Sequence, residues 1–328
     1  MTPSILVTSR SFSSGTVDAA ARLTAAGYDV VAASPSHEVD SLAPHLEHVV
    51  AWIAGTAPVT AEHLALAPSL RVVARYGVGV DSVDIAAADA RGVLVTNTPG
   101  ANSESVADLA LALLLASLRT VNAGDRAVRA GDWNAIRGRE IASLTVGVAG
   151  FGRIGRSFAA RVVALGARVR AFDPYLPVGS ESPDGVTLVS TFDELAECDA
   201  LSLHAPGGQC LITAEWLEGV AGIALVNTAR GDLVDEAALA AALRAGAVSS
   251  YAADTLDGEG GADSASPLLA TDLADRVTIT PHLGAQTVDA VDRMGVGAVD
   301  NVLAVLGGTA PPNPVRPAPV STLGKAVR

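Results

Sequence analysis

Apolar residues in this chain fall into two alternating patterns: short unbroken runs, and longer segments in which they recur at helical spacing. In the first hundred residues, runs at 4–9, 29–33, 49–54, 72–75 and 93–96 predict strands. Between them, segments at 17–26, 37–46, 60–66 and 84–90 predict helices. Gly27 and Gly92 supply helix stops, and Thr60 supplies an N-cap. Apolar strands interleaved with helices at this spacing predict a parallel sheet covered on both faces, a small doubly wound unit.

Asn97-Thr98-Pro99-Gly100 interrupts the alternation. The helix predicted at 103–118 is apolar nearly all round, so it should be buried between packed layers. Residues 125–130 and a Gly131-Asp132-Trp133 turn lead on. A second alternation then begins, with strands at 146–149, 169–172, 187–189, 200–204, 221–227, 250–253 and 277–280. Helices are predicted at 153–165, 193–196, 235–245 and 289–306, before a proline-rich extended tail at 311–319. The fold class is therefore α/β, with two doubly wound parallel-sheet domains. The expected division is 1–98 for the first part of one domain, 99–284 for the second, and a return to the first at 285–328.

The most informative stretch is Thr145 to Asp173, TVGVAGFGRIGRSFAARVVALGARVRAFD. A buried-type strand leads into Gly150, Gly152 and Gly155, spaced G-x-G-x-x-G. Arg153 and Ile154 then open a helix with apolar positions at Ile154, Phe158, Val162 and Leu165. A second strand ends on Asp173. One glycine makes a tight turn, one lets backbone approach a pyrophosphate, and one lets helix pack closely on strand. The diphosphate sits at the helix N-terminus, where amide groups and the dipole favour an anion. Asp173 is placed to accept hydrogen bonds from a ribose diol. It repels a 2′-phosphate, and Pro174 and Tyr175 supply no cation to hold one, so NAD is expected rather than NADP.

Composition narrows the partners. The 328 residues carry a formal charge of -13 with Lys325 as the single lysine, a balance that repels nucleic acid. No apolar run approaches the roughly twenty residues needed to span a bilayer, and the N-terminus lacks a basic region before an apolar core. Cys198 and Cys210 are expected as buried, unpaired thiols in a reducing, cytoplasmic compartment. No metal ligand set is expected. His37, His45, His48 and His63 are expected to be solvated.

In open parallel sheets, ligands sit beyond the carboxyl ends of the strands. Residues just past those ends include Gly77 to Gly79, His204, Thr228 to Arg230, Asp254 to Glu259, and His282. An arginine, a carboxylate and a histidine on one rim can handle a small acid. The arginine grips a carboxylate in a fork, and the histidine moves a proton near neutral pH with the carboxylate fixing its tautomer. His204 reads equally well as structural or as a wall of the cofactor site.

Four segments carry a resemblance to a known family: Arg75-Tyr76-Gly77-Val78-Gly79-Val80-Asp81, VGVAGFGRIG, NTARGDLVDE (227–236) and TPHLG (280–284). In these the chain resembles the D-isomer-specific 2-hydroxyacid dehydrogenases, nearest to the phosphoglycerate dehydrogenase and hydroxypyruvate or glyoxylate reductase branches. The resemblance implies a Rossmann NAD-binding domain inserted in a flavodoxin-like substrate domain. It implies interconversion of a small D-2-hydroxy acid and its 2-oxo acid by hydride transfer to and from NAD. Carried over by position, His282 is the acid/base, Glu259 tunes it, and Arg230 binds the substrate carboxylate. The amides of Val78 and Gly79 bind that carboxylate from the other domain, and Val78 also borders the cofactor. The remaining cofactor contacts are His204, Ala205, Pro206, Thr228, Ala229, Gly284 and Asp254, the last meeting the carboxamide. A homodimer is implied, with Trp133 at a position packed near the dimer interface.

Two departures bear on substrate. Gly207-Gly208-Gln209-Cys210 replaces a longer family loop, and Ala54 stands where the phosphoglycerate branch tends to place an arginine. Arg10 either supplies charge in its place or is a plain surface residue. Two other readings remain: a phosphite or formate dehydrogenase on the same scaffold, and a non-enzymatic NAD-sensing protein like the co-repressors of the family.

Overall fold

A computed structural model describes residues 2–176, 185–258 and 266–315. The chain forms two compact units, one from Met1–Asn102 with Gln286–Arg328 and one from Ser103–Ala285.

The first unit begins β1 (Ser4–Val7), α1 (Ala19–Ala25), β2 (Asp29–Ala32), α2 (Val39–Leu46) and β3 (Val49–Ala54). It continues α3 (Ala61–Ala65), β4 (Val72–Arg75), α4 (Ile85–Ala90) and β5 (Leu94–Thr96). Its sheet is wholly parallel, in the order β2-β1-β3-β4-β5. Strand alternation divides its side chains between two layers: Leu6, Trp52, Ala54 and Val73 face a core closed by α2, α3 and α4. Asp18, Thr60 and Asp84 each accept a backbone N–H and cap α1, α3 and α4.

The second unit runs α5 (Ser103–Leu118), α6 (Val121–Arg129), β6 (Thr145–Ala149), α7 (Arg153–Ala164), β7 (Arg168–Phe172), β8 (Val186–Leu188) and β9 (Ala200–Leu203). It then adds α8 (Ala214–Glu218), β10 (Ile223–Asn227), α9 (Glu236–Ala245), β11 (Val248–Ala253) and β12 (Val277–Ile279). Seven parallel strands lie in the order β12-β11-β10-β9-β6-β7-β8. The period of two splits each strand between two cores. Val146, Val148, Ala200, Ala224, Val226 and Ala252 face α5 and α7, whereas Leu201, Leu203, Leu225 and Tyr251 face α8 and α9. The chain then returns to the first unit as α10 (Val288–Leu306), and Val315 N donates to Val95 O beyond it.

Several expectations change. α5 is not buried all round: Glu104 and Asp108 line an exposed side and pair with Arg161 of α7. α8 went unpredicted, being only five residues set by the Thr213 cap. The segment predicted helical at 193–196 is a 3-10 helix, Phe192–Glu197. Cys198 is buried and burial raises its pKa to about 11, but Cys210 is exposed; both are free thiols. His37 and His63 are not solvated but almost fully buried: Thr8 and Pro58 satisfy the His37 ring, and the Thr60 cap with His37 O satisfies that of His63. Among the described residues no single helix is long and apolar enough to cross a membrane, and no cluster of His, Cys, Asp and Glu could hold a metal ion.

Candidate active site

The glycine turn after β6 divides its roles as the spacing predicts. Gly150 has φ +90°, and a Cβ there would sit 2.7 Å from the His204 carbonyl carbon, so the turn needs a residue without one. A Cβ on Gly155 would overlap the Gly150 carbonyl oxygen; its absence lets α7 pack onto β6. Gly152 differs from both: a Cβ there would meet nothing within 4 Å. Gly152 is also the N-cap of α7 and supplies no side chain to the first amides, so Arg153 and Ile154 open a helix whose N-terminus is available to an anion. Asp173, just past β7, accepts Phe151 N–H at 2.9 Å and Tyr175 N–H at 3.0 Å. Those bonds tie the acid to the glycine turn.

His204 follows β9, with Ala205 and Pro206 after it. Its Nε2 lies 2.9 Å from Ser202 Oγ and its ring 5.0 Å from that of Phe158. Burial lowers its pKa to about 3, so the ring is neutral at physiological pH and is not an acid/base group. His204 Nδ1 and Thr228 Oγ1 are buried without a hydrogen-bond partner. Both belong to residues just past strand ends, where a bound dinucleotide has donors and acceptors to offer. The open glycine, the free helix terminus and these polar atoms fit such a group.

Three of the four strands on the other side of the switch lead to the residues expected to handle the acid. β10, β11 and β12 are neighbours, and past their ends come Thr228-Ala229-Arg230, Asp254 and His282 in turn. Adjacent strands are about 4.8 Å apart, so the topology delivers all three to one stretch of the rim. Asn227 closes the first turn, its Oδ1 accepting Ala229 N–H at 3.0 Å and its Nδ2 donating to Arg230 O at 2.7 Å. Arg230 is half-buried and donates from Nη1 to Ala229 O at 2.8 Å.

Asp254, 2% exposed, gathers the histidine turn around its carboxylate. Oδ1 accepts the Thr280 hydroxyl at 2.5 Å and Leu283 N–H at 2.7 Å; Oδ2 accepts Gly284 N–H at 2.7 Å. Asp254 O accepts His282 N–H at 3.1 Å. These bonds hold His282 at φ +55°, a left-handed conformation that costs a non-glycine residue about 1–3 kcal/mol. Most of Asp254's accepting capacity is thus spent on the turn, with one lone pair of Oδ2 left over. Gly284 packs against that carboxylate, and Ser105 Oγ donates to Gly284 O at 2.6 Å. Glu259 lies outside the described residues.

Val78 and Gly79 belong to the first unit. They follow β4 in a turn opened by Gly77 at φ +138°, and Asn97 Nδ2 donates to Val78 O at 2.8 Å. Both are partly exposed. Sequence reading passed over Asn227, Asp232 and Ser105. For Asn227 a signal existed, since an asparagine at a strand end before small residues marks an Asx turn.

A wholly parallel sheet with a glycine turn and a free helix terminus at its switch point defines a dinucleotide-binding unit of Rossmann type. Residues 111–284 match the family model described as D-isomer specific 2-hydroxyacid dehydrogenase, NAD binding domain. The chain belongs to that family. It is 45% identical over 263 residues to the D-3-phosphoglycerate dehydrogenase of Mycobacterium leprae, a match covering 78% of this chain and 49% of that one. It is 33% identical over 276 residues to the hydroxypyruvate reductase of Thermotoga maritima, covering 82% and 88%. The crystal structure of TT0316 protein from Thermus thermophilus superposes with a TM-score of 0.84 at 38% identity, covering 95% of this chain and all of that one. The chain spans about half the length of the curated phosphoglycerate dehydrogenases it matches.

Proposed function

We propose that this protein is an NAD-dependent oxidoreductase that interconverts a small D-2-hydroxy acid and its 2-oxo acid. The observation that carries the reading is the arrival of Arg230, Asp254 and His282 on three neighbouring strand ends, at the same end of the sheet as the glycine turn. NAD, held by Gly150 to Gly155 and Asp173, takes or gives the hydride. His282 removes the hydroxyl proton in oxidation and returns it to the carbonyl oxygen in reduction. Arg230 binds the substrate carboxylate and stabilises charge developing on the carbonyl oxygen. Val78 and Gly79 offer backbone N–H groups to the same carboxylate, and Glu259 hydrogen-bonds the second imidazole nitrogen. Asp254 holds His282 in register. His204, Ala205, Pro206, Thr228, Ala229 and Gly284 border the cofactor.

Asp173 supports NAD over NADP, since a carboxylate at the ribose opposes a 2′-phosphate. Asp173→Ala should erode that preference, read as the ratio of kcat/KM with the two cofactors. Equal use of both by the unmutated protein refutes the preference.

The test of the activity is a steady-state panel: NADH consumption with glyoxylate, hydroxypyruvate, pyruvate and bulkier 2-oxo acids, beside NAD reduction with formate and phosphite. Turnover of at least one 2-oxo acid is expected. NADH binding with silence on every substrate defeats the enzymatic reading in favour of an NAD sensor.

A homodimer is part of the proposal. It is supported by Trp133 at 81% and Ile136 at 50% exposure on the extended segment after α6, apolar surface that a second copy would cover. Light scattering should return twice the chain mass, and Trp133→Ala should lower it toward one. The two free thiols and the net charge of -13 support a reducing, cytoplasmic setting away from nucleic acid and membranes.

A further inference from the structure

The Arg230 turn is held from three directions, and two of the side chains involved have no part in the proposed chemistry. Beneath it lies Asn227, fully buried, with one amide closing the turn at both Ala229 and Arg230. Behind the turn, Gly231 has no room for a side chain, because a Cβ there would overlap the Leu256 and Asp257 backbone.

The third contact comes from the loop after β9. Gly208, at φ +98°, donates its N–H to Asp232 Oδ2 at 2.6 Å. Gly207 then lies so close that a Cβ on it would come within 3.1 Å of Arg230 Cγ and 2.9 Å of Asp232 Oδ1. The loop is a wall against the aliphatic stem of the arginine, and Asp232 keeps the wall in place.

We infer that Asn227 and Asp232 are positioning residues for Arg230. Asn227 fixes the point and direction at which the side chain leaves the backbone. Asp232, by holding Gly207 and Gly208 against the stem, removes rotamers that a long arginine otherwise samples. A guanidinium restricted in advance loses less entropy on gripping a carboxylate, so the benefit falls on substrate binding rather than on the cofactor. The inference rests on the proposed role of Arg230 as the carboxylate-binding group.

The test compares Asp232→Ala with Asp232→Asn, which loses the charge but keeps an acceptor for Gly208 N–H. KM and kcat are measured for the best 2-oxo acid, and NADH affinity by fluorescence. Asp232→Ala should raise KM about tenfold with NADH affinity within about twofold, while Asp232→Asn stays within about twofold throughout. Asn227→Asp, which sets a carboxylate oxygen against Arg230 O, should lower kcat/KM about 100-fold. In an Arg230→Lys background, Asp232→Ala should add less than about twofold, because the geometry it protects is already lost.

Equal effects of the alanine and asparagine variants overturn the inference in favour of a plain charge effect. So does an unchanged KM in Asp232→Ala, or full additivity with Arg230→Lys. If Asn227→Asp does not fold, the Asp232 pair decides. A wild-type protein that binds NADH but reduces no 2-oxo acid defeats the parent reading. A wild type that turns over with Asp232→Ala matching it defeats this inference alone.

Discussion

The two sheets of this chain each reverse their strand order once, and the crevices so formed are put to opposite uses. In the first unit the reversal lies between β1 and β3; in the second it lies between β6 and β9. Both begin alike, with a glycine after one strand pressed on the backbone of the residue after its neighbour. A Cβ on Gly55 would lie 2.6 Å from Thr8 O, as one on Gly150 would lie 2.7 Å from His204 O. From there they diverge. In the second unit Gly152 faces open space at a helix N-terminus.

In the first unit the same place is filled. Trp52 Nε1 can only donate, and it donates to Thr8 Oγ1 at 2.9 Å. The Thr8 hydroxyl therefore donates to His37 Nε2 at 2.6 Å, and His37 Nδ1–H to Pro58 O at 2.9 Å. His63 Nδ1 accepts Thr60 N–H, leaving its Nε2–H for His37 O at 2.7 Å. Every ring nitrogen of the two histidines and of Trp52 has a partner. A doubly wound sheet thus guarantees a crevice at its switch point but not a ligand; the residues just beyond the strand ends decide that.

The comparison can be broken most severely at Gly155. Gly155→Ala drives a methyl into the Gly150 carbonyl and should cost about 3 kcal/mol of stability by denaturant unfolding, with NADH affinity lost. Acid should expose the filled crevice next. Burial, with His63 and Arg75 nearby, lowers the His37 pKa from 6.5 to about 4. The unfolded chain therefore binds a proton on His37 at a higher pH than the folded one does. The stability of the neutral ring is complete above pH 6.5 and is lost as pH falls toward 4, up to about 3 kcal/mol. Unfolding measured across that window should show a slope that His37→Gln flattens.

Thr8→Val comes third. It leaves Trp52 Nε1 and His37 Nε2 without a partner, at about 2–3 kcal/mol, with NADH affinity unchanged. Gly152→Ala is the mildest and the sharpest contrast with Gly155. The methyl meets nothing in the protein, so stability should hold, while NADH binds about tenfold more weakly where its phosphates need the backbone. A large stability loss in Gly152→Ala, or a loss of NADH affinity in Thr8→Val, would erase the distinction between the two crevices.

Much of this was legible in the chain because its signals are local. Apolar runs and helical spacing report which faces are buried within a few residues, and they place nearly all the strands. The G-x-G-x-x-G spacing works the same way, since its three steric demands arise between residues close in sequence. Arg230 and His282 could be nominated because the ends of parallel strands are where ligands sit. Asn227 was passed over although its Asx turn is local, because its burial beneath the arginine depends on packing against β11.

What the linear sequence determined by itself is the alternation of strand and helix and the glycine turn, both governed by short-range sterics and periodicity. Only the tertiary structure decided that His37 and His63 are buried rather than solvated. His37 is hydrogen-bonded to Thr8 and Pro58, 29 and 21 residues away, and packs on the Trp52 ring; His63 Nε2 meets His37 O, 26 residues away, and no local pattern announces partners across such separations. It also decided that Asp254 spends its carboxylate on the histidine turn and that Asp232 braces the loop beside Arg230. Each is a long-range pairing of buried or tightly held polar groups, and such groups find their partners only once the strands have set them side by side.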